Sequence, residues 1–112
     1  MKAIMVSLWL ALLLGSTAGR AEVPAGAIWI DVRTPSEYAQ GHLQQARLIP
    51  FDGIEAGVAG LELSLDAPIY LYCAVGGRAG IAKQRLETLG YSNVTNAGSL
   101  ESARQMAGEA QR

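Results

Sequence analysis

Short apolar runs alternate with helix-forming segments along this 112-residue chain, and this alternation constrains the fold more than any other feature. Residues 27–32 and 69–72 are rich in β-branched and aromatic side chains, which is typical of strands buried on both faces. Two shorter strands are predicted at residues 46–49, ended by Pro50, and at residues 94–95. The chain therefore carries four predicted strands, each separated from the next by a segment that lacks the strand pattern.

The segments between these strands predict helices. Thr34 is a helix N-cap residue followed by proline and an early acid, so a short helix begins there. Residues 78–89 place apolar side chains at helical spacing and are followed by Gly90, a residue that favours a helix C-terminus. A last helix is predicted at residues 100–107, with one or two further helical turns within residues 51–59. This alternation predicts a doubly wound α/β fold, a parallel sheet covered by helices on both faces.

The first residues have the order of a secretory signal peptide. Lys2 precedes twelve residues of which one serine is the only polar member, and small residues follow. A membrane anchor is the alternative, but a helix that spans a bilayer needs about 20 apolar residues. We expect cleavage after Ala21, in preference to Ala18, so that residues 1–21 are a signal peptide and residues 22–112 are the domain.

Charge and cysteine content exclude several classes of function. Cleavage after Ala21 removes two of the nine basic residues, which leaves 7 basic and 10 acidic side chains and a net charge of −3. Proteins that bind nucleic acid usually carry a basic stripe, so no nucleic-acid partner is expected. The single cysteine excludes an internal disulfide, a CxxC redox pair and a multi-cysteine metal site. We expect a small, soluble, monomeric domain outside the cytoplasm, with no membrane anchor after cleavage.

The one cysteine lies where open parallel sheets place their sites, just beyond the carboxyl end of a strand. It is Cys73, and the residues that follow it up to the predicted long helix are Ala74, Val75, Gly76, Gly77 and Arg78. Backbone N–H groups in a tight glycine loop converge on an anion, and a helix N-terminus and an arginine add positive charge nearby. These features favour a reactive thiolate and an anionic substrate, whereas the alternative is a small, inert core cysteine.

Three ordered motifs resemble those of the single-domain rhodanese family. The loop has the pattern Cys-x-x-Gly-x-Arg, between a strand that ends in tyrosine and an amphipathic helix. The positions that resemble the family's other signatures are Asp31-x-Arg33, Glu37-Tyr38, Gly41-His42-Leu43, Ala46, Ile49-Pro50, Leu89-Gly90-Tyr91, Val94 and Asn96-Ala97-Gly98. The resemblance extends over residues 28–100. Together with the export signal, it is a resemblance to the periplasmic rhodaneses of the phage-shock-protein-E type.

The resemblance implies a thiosulfate sulfurtransferase. Cys73 would attack the outer sulfur of thiosulfate or a similar anionic donor, release sulfite and hold a persulfide, and cyanide or a thiol would then accept the sulfur. The backbone amides that would stabilise the anionic sulfur are those of Ala74, Val75, Gly76, Gly77 and Arg78. The Arg78 side chain would also help to bind the donor, and no metal ion or organic cofactor is implied. Because residues 22–27 leave no room for the family's usual first strand and helix, we expect four strands rather than five.

Two other functions stay open at this point. Cysteine phosphatases and arsenate reductases use a similar cradle with the pattern Cys-x5-Arg. Only four residues separate Cys73 from Arg78, which suits one sulfur atom better than a tetrahedral oxyanion. A non-catalytic rhodanese-like module that binds or carries sulfur is the second alternative, although such modules typically lack the cysteine.

The polar residues upstream of the loop are interpreted as structural. Asp31 is expected to anchor loop backbone, and Arg33 is expected to pair with Glu37. His42 is the only histidine, and it lies at a helix-ending turn in a motif that the family uses structurally. It is therefore not assigned as a base for Cys73.

Overall fold

The sheet contains the four strands that the sequence predicts. The computed structural model describes residues 22–108, whose strands are β1 (Ile28–Asp31), β2 (Arg47–Leu48), β3 (Ile69–Cys73) and β4 (Val94–Ser99). They lie in the order β2-β1-β3-β4, and all three neighbouring pairs are parallel. The predicted parallel sheet is therefore confirmed, and the carboxyl ends of the strands meet at one edge.

A helical segment follows each strand. The helices are α1 (Pro35–Gln40), α2 (Ile54–Ala59), α3 (Gly77–Thr88) and α4 (Leu100–Ala107), and a 3₁₀ turn at Phe51–Gly53 precedes α2. Helix α1 begins with a capping box, in which the Glu37 N–H donates to Thr34 Oγ1 at 3.2 Å and the Thr34 N–H donates to Glu37 Oε1 at 3.0 Å. The helix therefore begins where its cap residues predict, with the Glu37 carboxylate held at its N-terminus.

Two strands differ in length from their sequence predictions. β4 extends through Ser99, because pairing with β3 holds residues 96–98 in the sheet although asparagine and glycine disfavour strands on their own. β2 is restricted to two residues, because it pairs only with Ile30 and Asp31 of β1. As a consequence of the longer β4, this strand leads into α4 without an intervening loop.

The side chains of the central strands alternate between two cores, one on each face of the sheet. Ile30, Leu71 and Cys73 belong to the first core, together with buried side chains of α2 and α3. Trp29 and Tyr72 belong to the second core, together with side chains of α4. Helices thus cover both faces, as a doubly wound fold requires, and the cysteine is anchored in a core at the end of its strand.

The predicted signal peptide, residues 1–21, lies outside the described residues. Within residues 22–108, no helix is both long enough and apolar enough to cross a membrane. The longest helix of this part of the chain is α3, which has twelve residues. The boundary between residues 21 and 22 stays a prediction from the sequence.

Candidate active site

The candidate active site lies at the carboxyl edge of the sheet, where β3 leads into α3. Cys73 is the last residue of β3, and its Cα is paired with that of Ser99 at the end of β4. The strand register is irregular between Leu71 and Cys73, just before the chain leaves the sheet. Residues 74–76 connect the strand to α3, which begins at Gly77. The sheet therefore fixes the base of the cysteine, and the loop extends beyond the edge.

The sulfur of Cys73 accepts a hydrogen bond from its own loop. The donor is the Gly76 N–H, with 3.0 Å between the nitrogen and Sγ. Gly76 is the N-cap of α3, and its φ of 105° lies in the left-handed region that side chains disfavour. The Cys73 side chain is itself buried, with 1% exposure, whereas Val75 at the loop's outer side is 87% exposed. The loop thus holds the sulfur at the bottom of a backbone cradle next to a helix N-terminus.

Asn96 of β4 braces this loop from the neighbouring strand. Its Nδ2 donates to the Gly76 carbonyl oxygen at 3.0 Å, and its Oδ1 accepts from the Gly98 N–H at 2.9 Å. The Gly80 N–H donates to the same Gly76 carbonyl at 2.9 Å, so this peptide group is held from both sides. The sequence alone predicts no function for Asn96, whose only signal is its position in the Asn96-Ala97-Gly98 motif.

The Arg78 guanidinium is paired with Glu37 across the site. Nη1 donates to Oε1 at 2.9 Å and Nη2 donates to Oε2 at 3.0 Å, which makes the pair bidentate. The hydrogen bonds from Arg78, with those from Thr34, lower the pKa of Glu37 from 4.5 to about 2. The Glu37 carboxylate in turn raises the pKa of Arg78. The pair therefore carries one positive and one negative charge throughout the neutral range, and it joins the first turns of α1 and α3.

The predicted pair between Arg33 and Glu37 is wrong, because Arg33 pairs with Asp31 instead. Arg33 Nε donates to Asp31 Oδ1 at 2.9 Å and Nη2 donates to Oδ2 at 2.7 Å, while both residues are buried. Asp31 also accepts from the Arg33 N–H at 3.0 Å, which confirms its predicted anchoring of loop backbone. The short separation along the chain and the shared burial favour this pair, and the hydrogen bonds to Asp31 raise the pKa of Arg33.

His42 is engaged by its own turn. Its Nδ1 lies 2.9 Å from the Tyr38 carbonyl oxygen, and its ring stacks on the Tyr38 ring with 3.6 Å between centroids. The Tyr38 hydroxyl donates to the Ala46 carbonyl oxygen at 2.7 Å, which ties α1 to the segment before β2. These contacts agree with the structural role that the sequence analysis gives His42.

Tyr72, next to the cysteine, joins β3 to the same upstream segment. Its hydroxyl oxygen accepts a hydrogen bond from the Leu43 N–H at 2.9 Å. Burial raises the pKa of Tyr72, so the phenol stays protonated in the neutral range. The residue before Cys73 is thus locked in the second core, which fixes the strand at the point where the loop leaves it.

Comparison with known proteins identifies the family. The rhodanese-like domain family matches residues 17–102, most of the chain. The chain belongs to this family. Among curated relatives, it is 38% identical over 73 residues to the thiosulfate sulfurtransferase PspE of Escherichia coli K12, a match that covers 65% of this chain and 70% of that protein.

Solved structures of rhodaneses have the same fold. A structure described as a rhodanese with anions from E. coli is 37% identical, has a TM-score of 0.65 and is matched over 68% of this chain and 89% of that one. The human single-domain sulfurtransferase TSTD1 is 27% identical, with a TM-score of 0.61 and coverage of 86% of this chain and 89% of that one. The sulfurtransferase family and the fold that the motifs imply are both confirmed.

The loop of this rhodanese-like domain borders an open cleft of about 480 Å³. The cleft lies between the ends of β1 and β3 and the first turns of α4, and its lining residues are Arg33, Ala74, Ser99, Leu100, Glu101 and Arg104. Ser99 caps α4, since its hydroxyl oxygen accepts from the Ser102 N–H at 3.1 Å. The cleft therefore borders the cysteine loop at Ala74.

The arrangement brings the predicted site residues together and suits nucleophilic chemistry at sulfur. Cys73 and residues 74–78 are consecutive and lead into α3, whose first N–H groups have no acceptor within the helix, and the Gly76 N–H donates to Sγ. Such N–H groups and the helix dipole stabilise negative charge. Within the described part of the chain, no group of three or more His, Cys, Asp or Glu residues is placed to hold a metal ion.

Proposed function

We propose that this rhodanese-like protein transfers a sulfane sulfur from thiosulfate, or a similar anionic donor, to cyanide or a thiol through a persulfide on Cys73. The observation that carries this proposal is the hydrogen bond from the Gly76 N–H to Cys73 Sγ at the N-terminus of α3. A donor to the sulfur, the helix dipole and a glycine loop all stabilise negative charge, and the thiolate is the nucleophilic form of a cysteine. The likeness to PspE, named as a thiosulfate sulfurtransferase, supports the choice of donor.

The proposed reaction has two displacements at sulfur. In the first, the Cys73 thiolate attacks the outer sulfur of thiosulfate, a new bond forms to that atom, and sulfite leaves with the electron pair of the old sulfur–sulfur bond. In the second, cyanide or an acceptor thiolate attacks the outer persulfide sulfur, and Cys73 leaves as the thiolate. Electrons balance within these two steps, so neither a metal ion nor an organic cofactor has a role in them.

The loop backbone provides the anion cradle for both steps. We propose that the N–H groups of Ala74, Val75, Gly76, Gly77 and Arg78 bind the transferred sulfur and the donor's oxygens. Backbone donors suit this task because they are preorganised and need no reorganisation as charge moves between sulfur atoms.

The two alternatives are less well supported. An oxyanion hydrolase uses the positive charge of an arginine to bind its oxyanion, and here the charge of Arg78 is matched by Glu37 at both terminal nitrogens. A purely binding module has no need of a cysteine at the bottom of a hydrogen-bonded cradle, and this chain has one at Cys73. We therefore retain both only as outcomes of the test below.

The test compares the purified protein with its Cys73→Ser variant in thiosulfate:cyanide transfer. We expect thiocyanate formation by the wild type only, and mass spectrometry after thiosulfate treatment should find one added sulfur atom on Cys73. Thiocyanate formation by Cys73→Ser would contradict the assignment of the nucleophile. Hydrolysis of a phosphate ester without sulfur transfer would favour the phosphatase, and a folded protein with neither activity would favour the binding module.

We further propose that the protein is exported to the periplasm as a soluble monomer after cleavage behind residue 21. The order of charge, apolar stretch and small residues in the sequence supports the cleavage. N-terminal sequencing of the protein from a periplasmic extract should begin at Glu22. A chain that keeps Met1, or begins at Gly19, would contradict this boundary, and size-exclusion chromatography would test the monomer.

A further inference from the structure

Arg78 has the one cationic side chain of the cysteine loop, and its charge is already matched. Both of its terminal nitrogens donate to the Glu37 carboxylate, at 2.9 and 3.0 Å. The two side chains are about one-third exposed, at 29% for Arg78 and 34% for Glu37, so the pair stands at the surface of the site. This bidentate pair occupies one of the forked edges with which arginine grips an oxyanion, and it matches the positive charge with a carboxylate.

We infer that Glu37 is the residue that sets the anion selectivity of the loop, because its carboxylate matches the charge of the Arg78 guanidinium, takes up one of its edges and so weakens its binding of sulfate-like or phosphate-like dianions. This inference rests on the proposed function, since it concerns how the same loop distinguishes its donor from inert anions. With Arg78 engaged, the backbone amides and the sulfur chemistry of Cys73 select the substrate. Oxyanions without a transferable sulfur gain no ion pair there and therefore compete more weakly for the loop.

Glu37 is built to hold this position. Its Oε1 accepts hydrogen bonds from the Thr34 N–H at 3.0 Å and the Thr34 hydroxyl at 3.1 Å. The capping box of α1 therefore holds the carboxylate in the orientation in which it pairs with Arg78. The lowered pKa of Glu37, about 2, means that the carboxylate stays charged at neutral and mildly acidic pH. The ion pair between Glu37 and Arg78 is therefore a fixed feature of the fold and does not change with pH in this range.

The geometry allows the charge of Glu37 to be removed with little other change. Glutamine has the same size as glutamate and also serves in a capping box, so Glu37→Gln can keep the bond from the Thr34 N–H. It replaces the carboxylate with a neutral amide and leaves Arg78 with an unmatched charge beside the cradle. A unit charge close to a partly solvated anion changes binding by a factor on the order of ten, so we expect sulfate and inorganic phosphate to bind about five- to thirtyfold more tightly.

The experiment measures sulfate and phosphate binding to the full-length protein by calorimetry, without turnover, and their inhibition of thiosulfate:cyanide transfer. Glu37→Gln should lower the dissociation constant and the inhibition constant together, and Glu37→Asp, which keeps the charge on a shorter side chain, should lie between it and the wild type. Glu87→Gln is the matched control, because it removes the same charge from an exposed pair with Lys83, 2.6 Å long, near the other end of α3. It should leave both constants within about twofold of the wild type.

The double variant Glu37→Gln/Arg78→Gln shows whether Arg78 carries the effect. We expect it to lose the gain in sulfate affinity, and a gain that persists in the double variant would overturn the inference. Unchanged or weaker sulfate binding by Glu37→Gln would also overturn it, since Glu37 would then orient Arg78 for anions rather than withhold it. If Glu37→Gln does not fold, the comparison of Glu37→Asp with the wild type decides. Because binding is measured without turnover, an inactive protein would contradict the proposed function and leave this test intact.

Discussion

Gly76 and Gly77 are neighbours in the cysteine loop, yet we expect alanine to have opposite effects at the two positions. Gly76 has a φ of 105°, whereas Gly77 is the first residue of α3 and has no atom within 4 Å of the place where a Cβ would stand. Alanine at Gly77 fits an ordinary helical conformation in open space. Alanine at Gly76 must either keep a left-handed backbone or turn the peptide group that donates to Cys73 Sγ.

The cost at Gly76 is conformational rather than steric. The nearest atom that a Cβ would meet is Gly98 Cα at 3.5 Å, an ordinary contact distance. Holding a residue with a side chain in the left-handed region costs about 1–2 kcal/mol. Both substitutions restrict the unfolded chain equally, which favours folding by about 0.4–1 kcal/mol in each variant. Their free energies of unfolding should therefore differ by the strain alone, about 1–2 kcal/mol, with Gly77→Ala the more stable.

Urea denaturation of both variants beside the wild type measures this difference. In a domain of this size each 1 kcal/mol shifts Tm by roughly 4–8 °C, so a thermal scan resolves it as well. Thiosulfate:cyanide transfer is measured on the same samples, and Gly76→Ala should lose more activity than Gly77→Ala. Equal stability of the two variants would refute the reasoning, because the backbone at Gly76 would then carry no strain that glycine relieves.

Three further predictions concern the groups around the loop. Asn96→Ala removes two hydrogen bonds at an exposed position, so it should cost about 0.5–1.5 kcal/mol in urea denaturation and lower kcat for thiosulfate. Asp31→Asn leaves the buried Arg33 without its counter-charge and should destabilise by about 3–5 kcal/mol, seen as a lower Tm. The pKa of Glu37 is lowered from 4.5 to about 2 in the folded protein, so its pair contributes stability above pH 4.5 that is lost as the pH falls toward 2. The difference in urea midpoint between wild type and Glu37→Gln should therefore be constant at neutral pH and disappear near pH 2.

The elements of this fold were predictable where local signals dominate. The capping box at Thr34 is formed by four consecutive residues, so the start of α1 can be predicted locally. The uninterrupted apolar run before Cys73 is typical of a buried strand. The position of the cysteine loop follows from these elements, because a parallel strand must end at the edge where the next helix begins.

The pairing of charges could not be predicted in the same way. Glu37 and Arg78 are 41 residues apart, and their contact exists only because two helices begin at the same edge of the sheet. Sequence proximity pointed to Arg33 instead, and that arginine is drawn inward by the buried Asp31. The hydrogen bonds of Asn96 could not be predicted either. An amide side chain can donate to or accept from almost any backbone group, so the sequence does not identify its partners.

The bond from Asn96 to the Gly76 carbonyl also has a consequence for the order in which the protein acquires its site. The two residues are 20 positions apart, and β4, which carries Asn96, joins the outer edge of the sheet. Because the chain is synthesised from its N-terminus, Cys73 is made before β4, the strand that braces the loop around it. Until β4 pairs with β3, the loop around the thiol lacks the hydrogen bond from Asn96 to the Gly76 carbonyl oxygen. The site is therefore complete only after β4, the last strand, has joined the sheet.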